Sequence, residues 1–500
     1  MRLPSLALLV LGVCAAPALS QTPQGNPGEG DRLYAERCAT CHESGVPRAP
    51  VRQALSRLSP DAILSALTTG SMRSQGAELT QAQIELIART VGTATTAAAN
   101  NNACTAAAPS SFADPFDRPN WNGWGGNIAQ HRFQAAAAAQ LPANQVSRLK
   151  LKWAFGFPGA NRAFAQPTVV GGRVFVGSAS NTVYSLNANS GCQYWSFRAD
   201  APVRTAITIG PGSAQGKWTA YFGDQGTTVY AVDALSGELV WKRKVDTFFG
   251  ATMTGAPTLA DGTLYAVTSS GEEVLGANPK YECCKFRGSV SALNAVTGEV
   301  KWRSFTIPEE PKPVRMNTQG VQLYGPSGAG IWSSPAVDLK RGVVYVTTGD
   351  AYSDPAAATS DAFLAFDIKT GKLLWSRQTT AGDAYTLACD LPEGLRANCP
   401  EAKGPDFDFG SSPILVDLPN GRRALIAGQK SGVVHAVDPD KEGAILWQTR
   451  VGKGTALGGV QWGSAFDGRR VYVALSACSL NLSLPERLVH SRRSWVRPSV

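Results

Sequence analysis

Residues 38–42 read Cys-Ala-Thr-Cys-His. Two thiols at that spacing can add to the two vinyl groups of a haem, and the adjoining imidazole can ligate its iron from one side. A structural zinc site would need four ligands, and no second Cys or His pair lies nearby. A redox disulfide would have no use for His42. The opposite iron ligand is found by elimination. Of Met1, Met72, Met253 and Met316, only Met72 lies in the same segment. Thioether ligation raises a haem potential, which suits an electron acceptor. A second reading makes Met72 core filler.

Such ligands need helices to hold them. Helical patterns run over 31–37, 60–68 and 80–91, the last with Ile84, Ile87 and Val91 on one face. With Cys38, Cys41, His42 and Met72, residues 28–92 resemble a small all-α class I cytochrome c carrying haem c. Residues 93–115 are rich in Ala, Thr and Asn and read as a linker. Upstream, Arg2, an apolar run over 6–13 and Ala18-Leu19-Ser20 form a secretory signal over 1–20. That predicts a periplasmic protein, and no other stretch is apolar enough for a transmembrane segment. In an oxidising compartment cysteines can pair. Cys389 and Cys399 flank a short loop, Cys283 and Cys284 are adjacent, and Cys104 and Cys192 have no evident local partner.

The remaining length exceeds one ordinary core. With 43% apolar and 17% charged residues, a mostly disordered chain is excluded. The 51 Gly and 31 Pro favour many tight turns over a helical bundle. The net charge of +9 is scattered, with no basic run, so no nucleic-acid partner is expected.

From residue 150 a unit recurs: an apolar run, Asn or Asp, a Gly a few residues on, then Trp. Its members are Asn187/Gly191/Trp195, Asp233/Gly237/Trp241, Asn294/Gly298/Trp302, Asp367/Gly371/Trp375 and Asp438/Gly443/Trp447. Trp153 reads as an isolated last strand of the same kind. Each unit reads as four short strands with a φ > 0 turn, and four-stranded repeats of this length predict an all-β propeller over 116–477. The tryptophans are expected to dock neighbouring blades.

These repeats, with Trp121-Asn-Gly-Trp124, resemble the quinoprotein propellers that surround pyrroloquinoline quinone (PQQ). Ser269-Ser-Gly-Glu-Glu273, Tyr281-Glu-Cys-Cys-Lys-Phe-Arg-Gly288, Ile307-Pro-Glu-Glu-Pro311 and Gly428-Gln-Lys-Ser-Gly432 most resemble the cytochrome-fused polyvinyl-alcohol dehydrogenases. The resemblance implies an eight-bladed family, PQQ, Ca²⁺ and an alcohol substrate, with Asp408 as base and second metal contact. Glu273 and Asp350 would be the other Ca²⁺ ligands, with Asp350 where methanol-oxidising relatives carry Asn. Trp332 would form the quinone floor, and Lys430 would contact the quinone oxygens. Thr254 and Arg204 would meet quinone carboxylates. A Cys283–Cys284 disulfide would cover one quinone face. On the blander reading Asp408 caps a turn, Glu273 is a loop acid, Trp332 is core and Lys430 sits on a surface hairpin.

The pattern departs from the family late. Five Trp-ending repeats are complete, and a sixth begins at Gly459-Val-Gln-Trp462. Residues 478–500 hold four Arg and no Gly. They read as a truncated or out-of-frame end, which would leave the ring incomplete, with low stability or activity. The expected function is a periplasmic quinohaemoprotein that oxidises secondary, polyvinyl-alcohol-like hydroxyls. It would pass electrons through haem c to an external cytochrome c or other carrier. The alternatives are a non-catalytic scaffold of the outer-membrane assembly type, and a PQQ dehydrogenase for sugars or small alcohols.

Overall fold

A computed structural model describes residues 27–43, 49–56, 58–68, 70, 72–93, 102–105, 114–160, 162–212, 217–418 and 421–476. The leader at 1–20, most of the linker and the 478–500 tail lie outside the described residues.

The first segment is helical. Pro27–Arg37, Pro60–Thr68 and Gln81–Val91 pack Leu33, Tyr34, Ile63, Leu67, Ile84 and Ile87 into one core. Thr80 caps the last helix, exchanging hydrogen bonds with Gln83 in a capping box. The first and last helices cross at Gly30, where a Cβ would stand 2.0 Å from the Thr90 hydroxyl. Such an approach admits only glycine.

Among the described residues the rest is built mainly from five antiparallel sheets with four strands in sequence order, and Lys312–Met316 pairs with Gln322–Gly325 between the third and the fourth. Blade 1 runs Thr168–Val170, Arg173–Gly177, Thr182–Asn187 and Gln193–Arg198. Blade 2 comprises Thr208–Pro211, Trp218–Gly223, Thr228–Asp233 and Leu239–Lys244. Blade 3 comprises Thr258–Ala260, Thr263–Ser270, Ser289–Asn294 and Val300–Phe305, and Ala251–Thr252 also pairs with its second strand. Blade 4 uses Ala336–Asp338, Val343–Thr347, Ala362–Asp367 and Leu373–Gln378, and blade 5 uses Ile414–Asp417, Arg423–Gly428, Val433–Asp438 and Ala444–Arg450. The start of the expected sixth repeat forms two short pairs, Gly459–Val460 with Leu475–Ser476 and Ala465–Phe466 with Val471–Tyr472.

The hydrophobic clusters fall mostly between blades. One joins blades 1 and 2, a second 2 and 3, a third 3 and 4, a fourth 4 and 5. The repeated Trp and Gly explain one another. Asn187, Asp233, Asn294 and Asp367 each accept two backbone N–H bonds in the turn after the third strand. The turn glycine that follows has φ near +70° to +80°. Its bare Cα lies flat against the indole of the preceding blade: Trp195 on Gly237, Trp241 on Gly298, Trp302 on Gly371, Trp375 on Gly443. Trp195, Trp241 and Trp302 also donate their indole N–H to a carbonyl of that turn. Trp153 docks in the same way on Gly191 and Ala188, but it forms no strand, which corrects that expectation.

A second seam repeats along the inner ends of the strands. Val203 donates its N–H to Ser178, Ile331 to Thr268, Phe409 to Thr348 and Val460 to Gln429. Each bond joins the entry of one blade to the exit of the previous blade's second strand. Cys104 pairs with Cys192, fastening 102–105 along the outer strand of blade 1, and Cys389 pairs with Cys399 in the loop between blades 4 and 5. Among the described residues no helix is long and apolar enough to cross a membrane.

Candidate functional site

In each sheet the first and second strands are antiparallel, so the entry of the first strand and the exit of the second lie at one end. Arg204, Thr254, Trp332, Asp406 and Asp408 all precede first strands, and Glu273, Asp350 and Lys430 all follow second strands. The topology therefore sends the predicted site residues to one rim of the blades.

On that rim the carboxylates of Asp350, Asp406 and Asp408 converge, with ligand oxygens within 4.8 Å of one another. All three are buried. The Lys430 ammonium pairs with both Asp406 and Asp408 and is only 3% exposed, which rules out a surface hairpin. The main chain binds the group together: Lys430 donates its N–H to the Asp408 carbonyl at 3.0 Å, and the Asp350 N–H donates to Asp408 Oδ1 at 2.7 Å. Burial alone would disfavour the Asp408 anion, but the Lys430 charge and the Asp350 N–H outweigh it and hold its pKa below the usual carboxylate range. Asp350 goes the other way. Burial, then the Asp408 charge, push its pKa well above normal. Glu273 is near enough to add to that rise.

Trp332 lies beside this cluster, with the Lys430 Nζ 5.7 Å from its ring centroid. Its carbonyl accepts the Thr254 hydroxyl proton at 3.1 Å, so that hydroxyl is committed to holding the tryptophan. Trp462 meets the Trp332 ring edge-on at 4.9 Å. Arg204 stacks over Trp462 at 4.3 Å and over Phe164 at 5.2 Å. Burial lowers the Arg204 pKa to about 10, and among the described residues the guanidinium has no ion pair. Glycine makes the floor possible: a Cβ on Gly410 would stand 2.4 Å from the Trp332 ring, and one on Gly349 2.6 Å from Asp408 Oδ1. Gly410→Ala should displace the indole at a cost of about 1–3 kcal/mol. The check is a shift in tryptophan emission together with a lower urea midpoint.

The two adjacent glutamates divide their work. Glu272 is fully buried and accepts from Tyr281 Oη (2.9 Å), Lys285 N (2.8 Å) and Phe286 N (2.7 Å). It therefore holds the loop carrying the Cys283–Cys284 disulfide, which packs with Phe286, Leu323 and Tyr352. Against burial, which raises it, these hydrogen bonds leave the Glu272 pKa at about 7. The sequence reading passed over Asp406, Asp361 and Trp462. The Asp-Phe-Asp spacing was the available signal for Asp406. Asp361 is wholly buried with both oxygens unbonded, and burial followed by the Asp383 charge raise its pKa well above normal.

In the helical segment the Cys38 carbonyl accepts the His42 N–H at 3.0 Å, which places both thiols and the imidazole on one helical turn. His42 Nδ1 lies 2.7 Å from the Pro50 carbonyl. That contact puts the ring proton on Nδ1 and leaves Nε2 as a ligand. Cys38 and Met72 pack against the same core.

Comparison with known proteins agrees with both halves. The glucose/ethanol/alcohol dehydrogenase β-propeller domain family, of the PQQ type, matches residues 121–393. The family described as cytochrome c oxidase, cbb3-type, subunit III matches residues 25–89. A polyvinylalcohol dehydrogenase of Pseudomonas sp. is 41% identical over 489 residues, covering 94% of this chain and 74% of the relative. The chain belongs to the PQQ-dependent alcohol dehydrogenases, in the polyvinyl-alcohol dehydrogenase group. A second such relative, from Sphingopyxis sp. (strain 113P3), is 37% identical over 92% of this chain and 73% of its own. The quinohaemoprotein alcohol dehydrogenase structure from Comamonas testosteroni superposes with a TM-score of 0.55 at 21% identity, over 73% of this chain and 58% of that one. At that identity the superposition speaks for the fold alone. As a PQQ-dependent dehydrogenase with a cytochrome segment, the chain is of a family that uses PQQ and haem c, and its residues fit both groups. Asp350 Oδ2 is a buried carboxylate oxygen without a donor, as suits a cation beside a quinone. The stacked, unpaired Arg204 suits an anionic ring system. Cys38 and Cys41, the free cysteines among the described residues, suit haem c together with His42.

Proposed function

We propose that the rim cluster oxidises secondary alcohol groups, including those of polyvinyl-alcohol-like polymers, in the periplasm. The observation that carries this reading is the convergence of Asp350, Asp406, Asp408 and Lys430 beside Trp332. PQQ bound on this rim supplies a two-electron acceptor for the hydride of the carbinol carbon. The chain's own groups do the rest. Asp408, kept ionised by Lys430 and the Asp350 N–H, takes the hydroxyl proton. Asp350, Asp406 and Glu273 would hold Ca²⁺, whose charge would offset their mutual repulsion. Trp332 supports the quinone face, Thr254 fixes Trp332, and Arg204 meets a quinone carboxylate. Lys430, paired with Asp406 and Asp408, would offer its ammonium to the quinone oxygens. Cys38, Cys41, His42 and Met72 would hold the haem, which would supply a one-electron acceptor ahead of an external carrier. The signal-like residues 1–20 and the disulfides support an exported protein.

The test is a single set of spectra. Purified protein is loaded with PQQ and Ca²⁺ and mixed with polyvinyl alcohol, 2-propanol or glucose. The ferrous haem band should rise with the two alcohols and depend on both additions. A rise with glucose alone would move the substrate to sugars. No rise with any donor, in protein shown to carry haem, would sink the enzymatic reading.

A further inference from the structure

The helical segment is fastened to the blades at two places. Ser65 Oγ donates to Asn181 Oδ1 at 3.1 Å, at the tip of blade 1. The stronger contact is Arg73, whose guanidinium donates to the carbonyls of Phe249 (2.7 Å) and Ala251. The buried carboxylates of Asp224 and Asp246 add favourable charge from blade 2 and the segment that follows its last strand. Arg73 is the residue next to Met72. Ala251 pairs with Ser270, two residues before Glu272 and three before Glu273. One side chain thus joins the haem-ligand loop to the edge of the blade that carries an acidic site residue.

The space behind that contact is filled with rings. Phe248 packs on Phe286 with centroids 5.6 Å apart, and Phe286 stacks on Tyr352 at 6.4 Å. Tyr352 is buried against the acid cluster, close enough to feel Asp350, Glu273 and Asp408. The Cys283–Cys284 disulfide belongs to the same packed group. A continuous packed layer of rings therefore runs from the acid cluster to the Phe248–Phe249 turn that Arg73 grips.

We propose that Arg73 is the positioning residue that docks the haem module on blade 3 and so sets the gap that electrons cross. The inference rests on the proposed dehydrogenase function and deepens it. Each alcohol oxidised delivers two electrons to the bound quinone. They leave one at a time, each reducing one ferric haem to ferrous, and a one-electron external carrier reoxidises the iron between transfers. The protons released go to solvent. Arg73 touches neither alcohol nor quinone and takes no part in bond breaking. Its two bonds hold the distance.

The experiment uses full-length protein loaded with haem, PQQ and Ca²⁺. Haem reduction by 2-propanol is followed by stopped flow, and quinone-site turnover is measured separately with phenazine methosulfate as acceptor. Arg73→Ala should slow haem reduction by about tenfold or more, the scale of losing a charged hydrogen-bond donor. Dye-linked turnover, the ferrous spectrum and the haem midpoint potential should stay as in the parent. Arg73→Lys, which keeps one charged donor, should recover part of the rate. In protein without quinone, Arg73→Ala should speed amide hydrogen exchange across residues 72–76. Haem reduction indistinguishable from the parent overturns the proposal. So does a slower rate accompanied by an altered haem spectrum and unchanged exchange, which would place the effect in Met72 ligation. If the parent itself reduces no haem with any alcohol, the dehydrogenase reading fails. The exchange measurement then decides docking alone: faster exchange sustains it and unchanged exchange overturns it.

Discussion

Asp408→Asn lowers dye-linked turnover by about 10²–10⁴-fold, the usual span for removing a general base, with PQQ and Ca²⁺ saturating. The carboxamide keeps the shape and can still accept from the Asp350 N–H, but it cannot take a proton. Asp406→Asn is the internal comparison. It removes a carboxylate from the same cluster, so it should weaken Ca²⁺ binding and recover most turnover at high Ca²⁺. Reversal of that order would make Asp406 the base. The two residues are separated by their surroundings. Both pair with Lys430, but Asp408 also accepts the Asp350 N–H, whereas the Asp406 and Phe407 N–H groups are held by Asp383, at 3.1 and 2.8 Å. Because Lys430 and the Asp350 N–H depress the Asp408 pKa against burial, the anion persists as pH falls below the ordinary carboxylate range. The acid limb of the turnover profile should therefore lie lower than for a free aspartate. An acid limb at or above the usual position would contradict the assigned partnership.

Lys430→Met produces the largest stability change, a loss of about 3–5 kcal/mol, because it strips the cation from a buried group of carboxylates. Asp406, Asp408 and Asp350 then face one another with at most 5% exposure each. Urea unfolding read by tryptophan emission measures the loss. Adding Asp406→Asn to Lys430→Met should restore part of it, since one of the opposed charges is gone. Millimolar Ca²⁺ should also restore part of it by mass action. A midpoint unchanged by Lys430→Met would mean that the carboxylates are already neutral, and the ion-pair description would fall.

Much of this architecture could be read directly from the residues. The helix over 60–68 is fully legible, and the first helix starts at Pro27, a few residues earlier than its pattern suggests. The first strands of blades 1, 3, 4 and 5 begin one residue after a proline, at Thr168, Thr258, Ala336 and Ile414, because proline has no N–H to offer a ladder. The Asn/Asp–Gly–Trp spacing carried the blades because turn, indole and glycine form one packing unit. The site was legible only as far as its rim. Asp406 has φ near +57°, so beyond its spacing its place beside Asp408 depends on a left-handed backbone turn that the residue types do not announce. Glu272 and Glu273 look alike in the sequence, and only burial separates a structural clamp from an acid near the cluster. The pairing of Cys104 with Cys192 spans 88 residues and has no local signal. Arg73 looked like one basic residue among many, and its importance comes from two carbonyls more than 170 positions away.

The Trp–Gly lock has a further consequence for how such a chain can be rebuilt. The same socket recurs at successive joints, and its two halves belong to different sheets. No sheet is therefore recognised by its particular neighbour at this point. Any module that brings its own bare turn and its own terminal indole presents compatible faces on both sides. Splicing between relatives is best made after an indole and before the next bare turn, where each cut leaves both halves of every socket intact.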